Sequence, residues 1–204
     1  NSHIILASRE GRAVHFDEND VRAMGRGASG VRGMNLGDAA DNEVIGMIAI
    51  DKSELQTRQV LVVSAKGYGK RSIIAEKNET TGELEYAYRM VTRGGKGVKT
   101  LQITDKTGEL IAIKDVKDDD QLMIINRSGM TIRMGLEQMR VLGRATQGVR
   151  LIELRKNDQI AAVAKVDGAL AEDEDNAAGD AGTDGHEGAD TNGTEVDSTP
   201  STEE

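Results

Sequence analysis

Apolar residues along the chain fall in short runs of four to seven, each broken by glycine or by a polar turn, which is the pattern of strands. Residues 4–8 form one such run, Arg9-Glu10-Gly11 stops it, and residues 13–16 resume it, so a hairpin is predicted. Residues 34–36 and 44–50 supply two further strands around a polar turn at 37–42. The order then returns. A second unit reads 60–64, turn, 68–74, 101–103 and 110–113; a third reads 122–126, turn, 130–134, 151–154 and 160–166. With four short strands per unit and a single Pro in 204 residues, the predicted class is all-β.

Between the second and third predicted strands of each unit lies a basic, glycine-rich loop. Counted from Gly11, the residues Arg22, Gly25, Arg26, Gly30, Val31 and Arg32 lie 11, 14, 15, 19, 20 and 21 positions on; counted from Gly129, Arg140, Gly143, Arg144, Gly148, Val149 and Arg150 keep those offsets. A middle copy holds Arg89, Arg93, Gly97, Val98 and Lys99 in the same spacing, with Thr92 where the others have Gly. That unit is longer, so residues around 78–88 are predicted to be an extra loop or hairpin. Units of this kind cannot hide their faces alone and are expected to stack as blades of a propeller-like array, at about 4–51, 60–116 and 122–167 within a domain of 1–167.

Composition refines the picture at one end. Residues 168–204 hold 12 Asp and Glu, no Lys or Arg and few apolar groups, and are expected to be a disordered acidic tail. The formal charge of −9 is therefore misleading, because residues 1–167 carry 26 basic against 23 acidic side chains. No Cys is present, the three His are scattered, and no apolar run approaches bilayer length, which points to a cytoplasmic protein without disulfide or thiolate metal chemistry. A start at Asn1, almost directly into a strand, suggests a segment of something longer.

The candidate binding residues are the cations of the three loops: Arg22, Arg26 and Arg32; Arg89, Arg93, Lys96 and Lys99; Arg140, Arg144 and Arg150. Lys70, Arg71 and Arg133 add to them. Glycines between cations allow close backbone approach, and the planar guanidinium fits phosphate oxygens. Cations in phase along one rim would suit duplex DNA bent around it. The competing readings are that the arginines pair with acids on the neighbouring blade, or that the array is a scaffold for an acidic protein. A nucleotide-binding phosphate loop fails on spacing at Gly69-Lys70 and Gly95-Lys96. With Phe16, Tyr68, Tyr86 and Tyr88 the only aromatics, a stacking platform for single strands is not expected, and no catalytic constellation or metal site can be argued.

The Gly11 to Arg32 pattern, Gly67-Tyr68-Gly69-Lys70-Arg71, Arg93-Gly94-Gly95-Lys96-Gly97-Val98 and Gly143 to Arg150 together resemble the C-terminal domain of bacterial DNA gyrase A, over about residues 4–167. The resemblance implies a β-pinwheel, here its last three blades plus acidic tail, that wraps double-stranded DNA and presents a positively crossed segment for negative supercoiling. It further implies a dimer of gyrase A joined by gyrase B in an A2B2 complex, with ATP and Mg for the whole enzyme, a type IIA DNA topoisomerase. No catalytic residue or cofactor is implied for this segment. Arg93 to Gly97 resembles the family's Gln-Arg-Arg-Gly-Gly-Lys-Gly box, from which Thr92 departs. The matching domain of topoisomerase IV is the nearest alternative, and the regular spacing, with Gly11 and Gly129 118 residues or two periods of 59 apart, favours gyrase.

Overall fold

A computed structural model describes residues 1–168. The expectation of a disordered tail falls on residues that lie, beyond Gly168, outside the described ones. Thirteen strands follow in order: β1 Ser2–Ser8, β2 Arg12–Asp17, β3 Val44–Asp51, β4 Gln59–Ser64, β5 Tyr68–Ile73, β6 Ala75–Lys77, β7 Leu84–Tyr86, β8 Val98–Lys99, β9 Leu110–Val116, β10 Gln121–Asn126, β11 Thr131–Gly135, β12 Val149–Arg150 and β13 Ile160–Val166. Among the described residues, two short 3-10 turns, 18–20 and 52–54, are the helical elements of more than one residue. No helix there is long and apolar enough to cross a membrane.

The strands make three antiparallel blades. In the first the order is β3-β1-β2-β8, in the second β9-β4-β5-β12, and in the third β13-β10-β11. Each unit thus supplies three strands to its own blade, while the fourth strand of the first and second blades arrives from the unit that follows. Ala13 pairs with Val98 and Arg12 with Lys99; Gly69 pairs with Val149 and Tyr68 with Arg150. Four strands in the first and second blades agree with the sequence pattern, whereas the third has three among the described residues, and the predicted strands at 34–36, 101–103 and 151–154 are not strands. Met34, Leu101 and Ile152 are buried at 6%, 0% and 7% exposure. Leu101 and Ile152 plug the core just past β8 and β12, where the chain leaves the ladder, whereas Met34 follows no exchanged strand and packs with Val14 and Phe16. The insertion in the second unit is the small hairpin β6-β7, Ala75 pairing with Tyr86.

Alternation along the strands decides what each face meets. Ile5, Ala7, Ile48 and Ile50 of the first blade pack with Val60, Val62, Leu110 and Ile113 of the second. Residues one position out of phase, Leu61 and Val63, join Leu122, Ile124, Leu136, Met139 and Ile160 of the third. The central blade is therefore apolar on both faces, as a strand layer buried on both sides must be.

Where the exchanged strand enters, two chain segments come too close for a side chain. Gly97 (φ 69°) and Gly148 (φ 77°) sit at the same place in successive units, and a Cβ would lie 2.2 Å from Ala13 O on the first and 2.5 Å from Gly69 O on the second. Gly30, their counterpart in the first unit, has φ 78° but open space around it. Gly148→Ala is expected to cost about 1–3 kcal/mol through strain and clash, and Gly30→Ala only about 1 kcal/mol for its backbone conformation. Thermal unfolding of the two variants checks this; equal losses would show that the close approach is unimportant.

Candidate nucleic-acid interface

The basic loops are placed by contacts that recur at each joint between blades. On β2, His15 Nδ1–H donates to Tyr88 O at 2.6 Å, and on β5, at the equivalent position, Arg71 Nε–H donates to Met139 O at 3.0 Å. Three residues further on, each loop donates back: Val91 N–H to His15 O and Leu142 N–H to Arg71 O, at 2.9 and 2.8 Å. The carbonyl bond fixes the His15 tautomer, so its Nε2 accepts from His3 Nδ1–H, 2.7 Å away. Burial lowers both imidazole pKa values, His15 also by the charge of His3 and His3 also by that of Lys52.

Successive loops are also tied to each other. Arg93 Nη1 donates to Arg32 O at 3.4 Å, and Arg144 Nη1 donates to Lys99 O at 3.2 Å, the same bond one unit on. Asn35 N–H to Gly95 O and Gln102 N–H to Thr146 O repeat in the same way, at 2.9 and 3.1 Å. Arg93 Nε adds a bond to Asp20 O at 2.9 Å. The loops therefore form a connected series along which cations recur in phase.

Within that series the sequence-selected cations separate into three groups. Arg22, Arg26, Arg32, Arg89, Lys96, Lys99, Arg133, Arg140 and Arg150 are exposed, while Arg93 and Arg144 are half-buried by the latching just described. Lys70 and Arg71 depart from the expectation of surface contacts: they are 0% and 4% exposed. Arg71 pairs with Asp118 and caps Met139 O, while Lys70 Nζ donates to Gly143 O at 2.6 Å and Thr146 Oγ1 at 3.3 Å. Both are turned inward to hold the third loop. Desolvation, with the nearby Arg144 charge, brings the Lys70 pKa down to about 7, and a neutral amine still has two N–H groups for its two acceptors.

Pairing with acids does not account for the exposed set. Among the described residues, Arg22, Arg26, Arg32, Arg89, Lys96, Lys99 and Arg140 have no carboxylate within ion-pair distance, and Arg150 has only the exposed Glu153 at 3.7 Å. The joints also gather residues that the loop pattern does not single out. Arg12 stands opposite Lys99, and Lys66, Lys106 and Arg155 line one cavity with Tyr68 and Arg150. Register against the turn glycines Gly11 and Gly67 is the signal that could have found Arg12 and Tyr68. Among the described residues no group of three or more His, Cys, Asp or Glu is arranged to hold a metal ion.

Blades that complete one another by strand exchange, with basic glycine-rich loops linked across the joints, define a β-pinwheel with a cationic band. The chain belongs to the family described as DNA gyrase C-terminal domain, beta-propeller, matching it over residues 2–51, 58–72, 84–117 and 120–167. The gap at 73–83 takes in β6 and the turn that leads to β7. The DNA gyrase A protein of Lawsonia intracellularis is 39% identical over 177 residues, and that of Ureaplasma parvum serovar 3 is 37% identical over 164. These alignments take in 87% and 80% of this chain but 20% and 18% of the relatives, so the chain spans about a fifth of their length. Among solved structures, a DNA gyrase A C-terminal domain matches with TM-score 0.64 and 24% identity, covering 81% of this chain and 51% of that one. A C-terminal domain of DNA topoisomerase IV matches with TM-score 0.68 and 20% identity, covering 85% and 51%. Both share the fold.

The buried bases set opposite edges to the stability profile. Because their folded pKa values lie below the unfolded ones, the unfolded chain takes up protons first as pH falls. Stability is expected to drop below about pH 6.5 through His3 and His15, and to rise between pH 7 and about 10 through Lys70. Lys70→Met should abolish the alkaline rise while leaving the acid loss, measured as unfolding midpoints across that range; an alkaline rise that survives the substitution would show that Lys70 is not its source.

Proposed function

We propose that residues 1–167 are a DNA-wrapping region of DNA gyrase A, binding duplex by its phosphates along the cationic band. In this reading the region is non-catalytic. It curves a duplex segment and presents it with a positive crossing. The rest of gyrase A and an ATP-hydrolysing gyrase B, in an A2B2 complex of the bacterial cytoplasm and nucleoid, convert that crossing into negative supercoils. ATP and Mg belong to the other parts of that enzyme. The single observation that carries the proposal is the repeated latch, Arg93 to Arg32 O and Arg144 to Lys99 O, which keeps exposed and unpaired cations in phase from one blade to the next. Phosphates recur regularly along a duplex, so a regular series of cations suits it without reading bases. Sequence likeness to gyrase A proteins, at 39% and 37%, favours gyrase over topoisomerase IV.

Affinity for duplex DNA should fall steeply with salt. Substituting Arg22, Lys96 and Arg140 together by Gln, all of them exposed and outside the latches, should flatten the log–log salt dependence by roughly 0.9 for each phosphate contact removed. Lys117→Gln, taken from the Glu54 ion pair, should leave the slope as it is. A slope unchanged in the triple variant would overturn the assignment, and binding of acidic protein in preference to DNA would favour a scaffold.

A further inference from the structure

The joint between the second and third blades carries a feature that no loop repeat explains. A cavity of about 400 Å³ opens there, lined by Lys66, Tyr68, Lys106, Arg150 and Arg155. Tyr68 belongs to β5, Arg150 to the exchanged strand β12, and Lys106 to the turn before β9, so the group exists only once the third unit has docked. Arg150 lies directly opposite Tyr68 in the ladder, and its Nη2 donates to the phenol oxygen at 3.3 Å. The Arg150 guanidinium carbon and Lys106 Nζ are each 5.7 Å from the centre of the Tyr68 ring. One aromatic ring thus gathers two like charges that would otherwise repel.

We propose that this joint is a seat for a backbone phosphate of the bound duplex, held by Arg150, Lys106, Lys66 and Arg155 around the Tyr68 hydroxyl. The inference rests on the wrapping reading and deepens it. Acids in the cavity are poorly placed to neutralise these cations. Asp158 is occupied by Ser128 at 2.8 Å and by the Gln159 N–H at 2.8 Å, while Glu153 is 87% exposed and 3.7 Å from Arg150. Lys66 spends one N–H on Asp105 O and keeps two, and the Arg150 fork is half open to solvent. The Tyr68 phenol pKa is lowered, first by its hydrogen bond from Arg150 and then by the charges of Arg150 and Lys106, so the field converges where an anion would sit. At the same register one blade earlier, Arg12 stands opposite Lys99, a like-charge cross-strand pair that costs stability unless an anion lies between them. Two seats in the same phase would hold one strand of a duplex passing across both joints.

The test compares duplex binding by the wild-type chain, Lys106→Gln, Arg150→Gln and the control Lys117→Gln over a range of salt. Each of the first two should lower the log–log slope by about 0.9, and the control should match wild type. Lys106 lies in an exposed turn, so its variant is decisive if Arg150→Gln loosens the joint. In a chain with tyrosine-selective labels, adding duplex should raise the Tyr68 phenol pKa, because phosphate neutralises the cations that depress it. Wild-type binding with a normal slope, but full slopes in both variants and an unmoved Tyr68, would overturn the seat and leave the wrapping reading intact. A wild-type chain with no salt-dependent duplex binding would overturn both.

Discussion

Two residues of backbone pairing join each unit to the one before it. Val98 and Lys99 complete the edge of the first blade and Val149 and Arg150 that of the second, with partners that lie a whole unit back in sequence. So short a ladder is weak alone, and the groups around it supply the rest: glycines that let the backbones meet, His15 or Arg71 reaching a carbonyl of the incoming loop, and Leu101 or Ile152 filling the core behind it. Pairing closes edges that would otherwise invite association with other chains. It also decides where the loop cations stand, because the second and third loops are anchored at both ends to the preceding blade.

Cations in this structure accordingly do two kinds of work. Lys70 and Arg71 spend their donors on backbone carbonyls inside the joint, and Arg93 and Arg144 do so at its surface. A buried donor of this kind satisfies a carbonyl that would cost about 1–3 kcal/mol if left unpaired. The exposed members, such as Arg22, Lys96 and Arg140, hold no such post and are the ones available to an anion. Residue type does not distinguish the two kinds, and position relative to the exchanged strand does.

The same distinction separates what a sequence displays from what only a fold displays. The hairpins β1-β2, β4-β5 and β10-β11 are legible because apolar alternation is interrupted by glycine-bearing turns, and the β6-β7 insertion shows as extra length between Gly67 and Gly97. Apolar clusters at 101–103 and 151–154 read as strands because burial and pairing leave the same trace over three residues. The strands that do form nearby are two residues long, too short to show a period, and their partners belong to another unit. The in-phase arginines are visible from spacing alone, whereas the inward turn of Lys70 and Arg71 and the grouping of Lys66, Lys106 and Arg155 around Tyr68 arise only from the exchange.

Borrowing each fourth strand from the next unit also sets an order in time. A ribosome delivers Ser2–Asp51 with every local strand of the first blade in hand, yet its β2 edge stays open until Val98 and Lys99 have been made. The second blade waits in the same way for Val149 and Arg150. Nascent chains of this design therefore carry one unfinished sheet edge forward as they grow, and the period of greatest exposure to misassembly is the interval between one unit and the next.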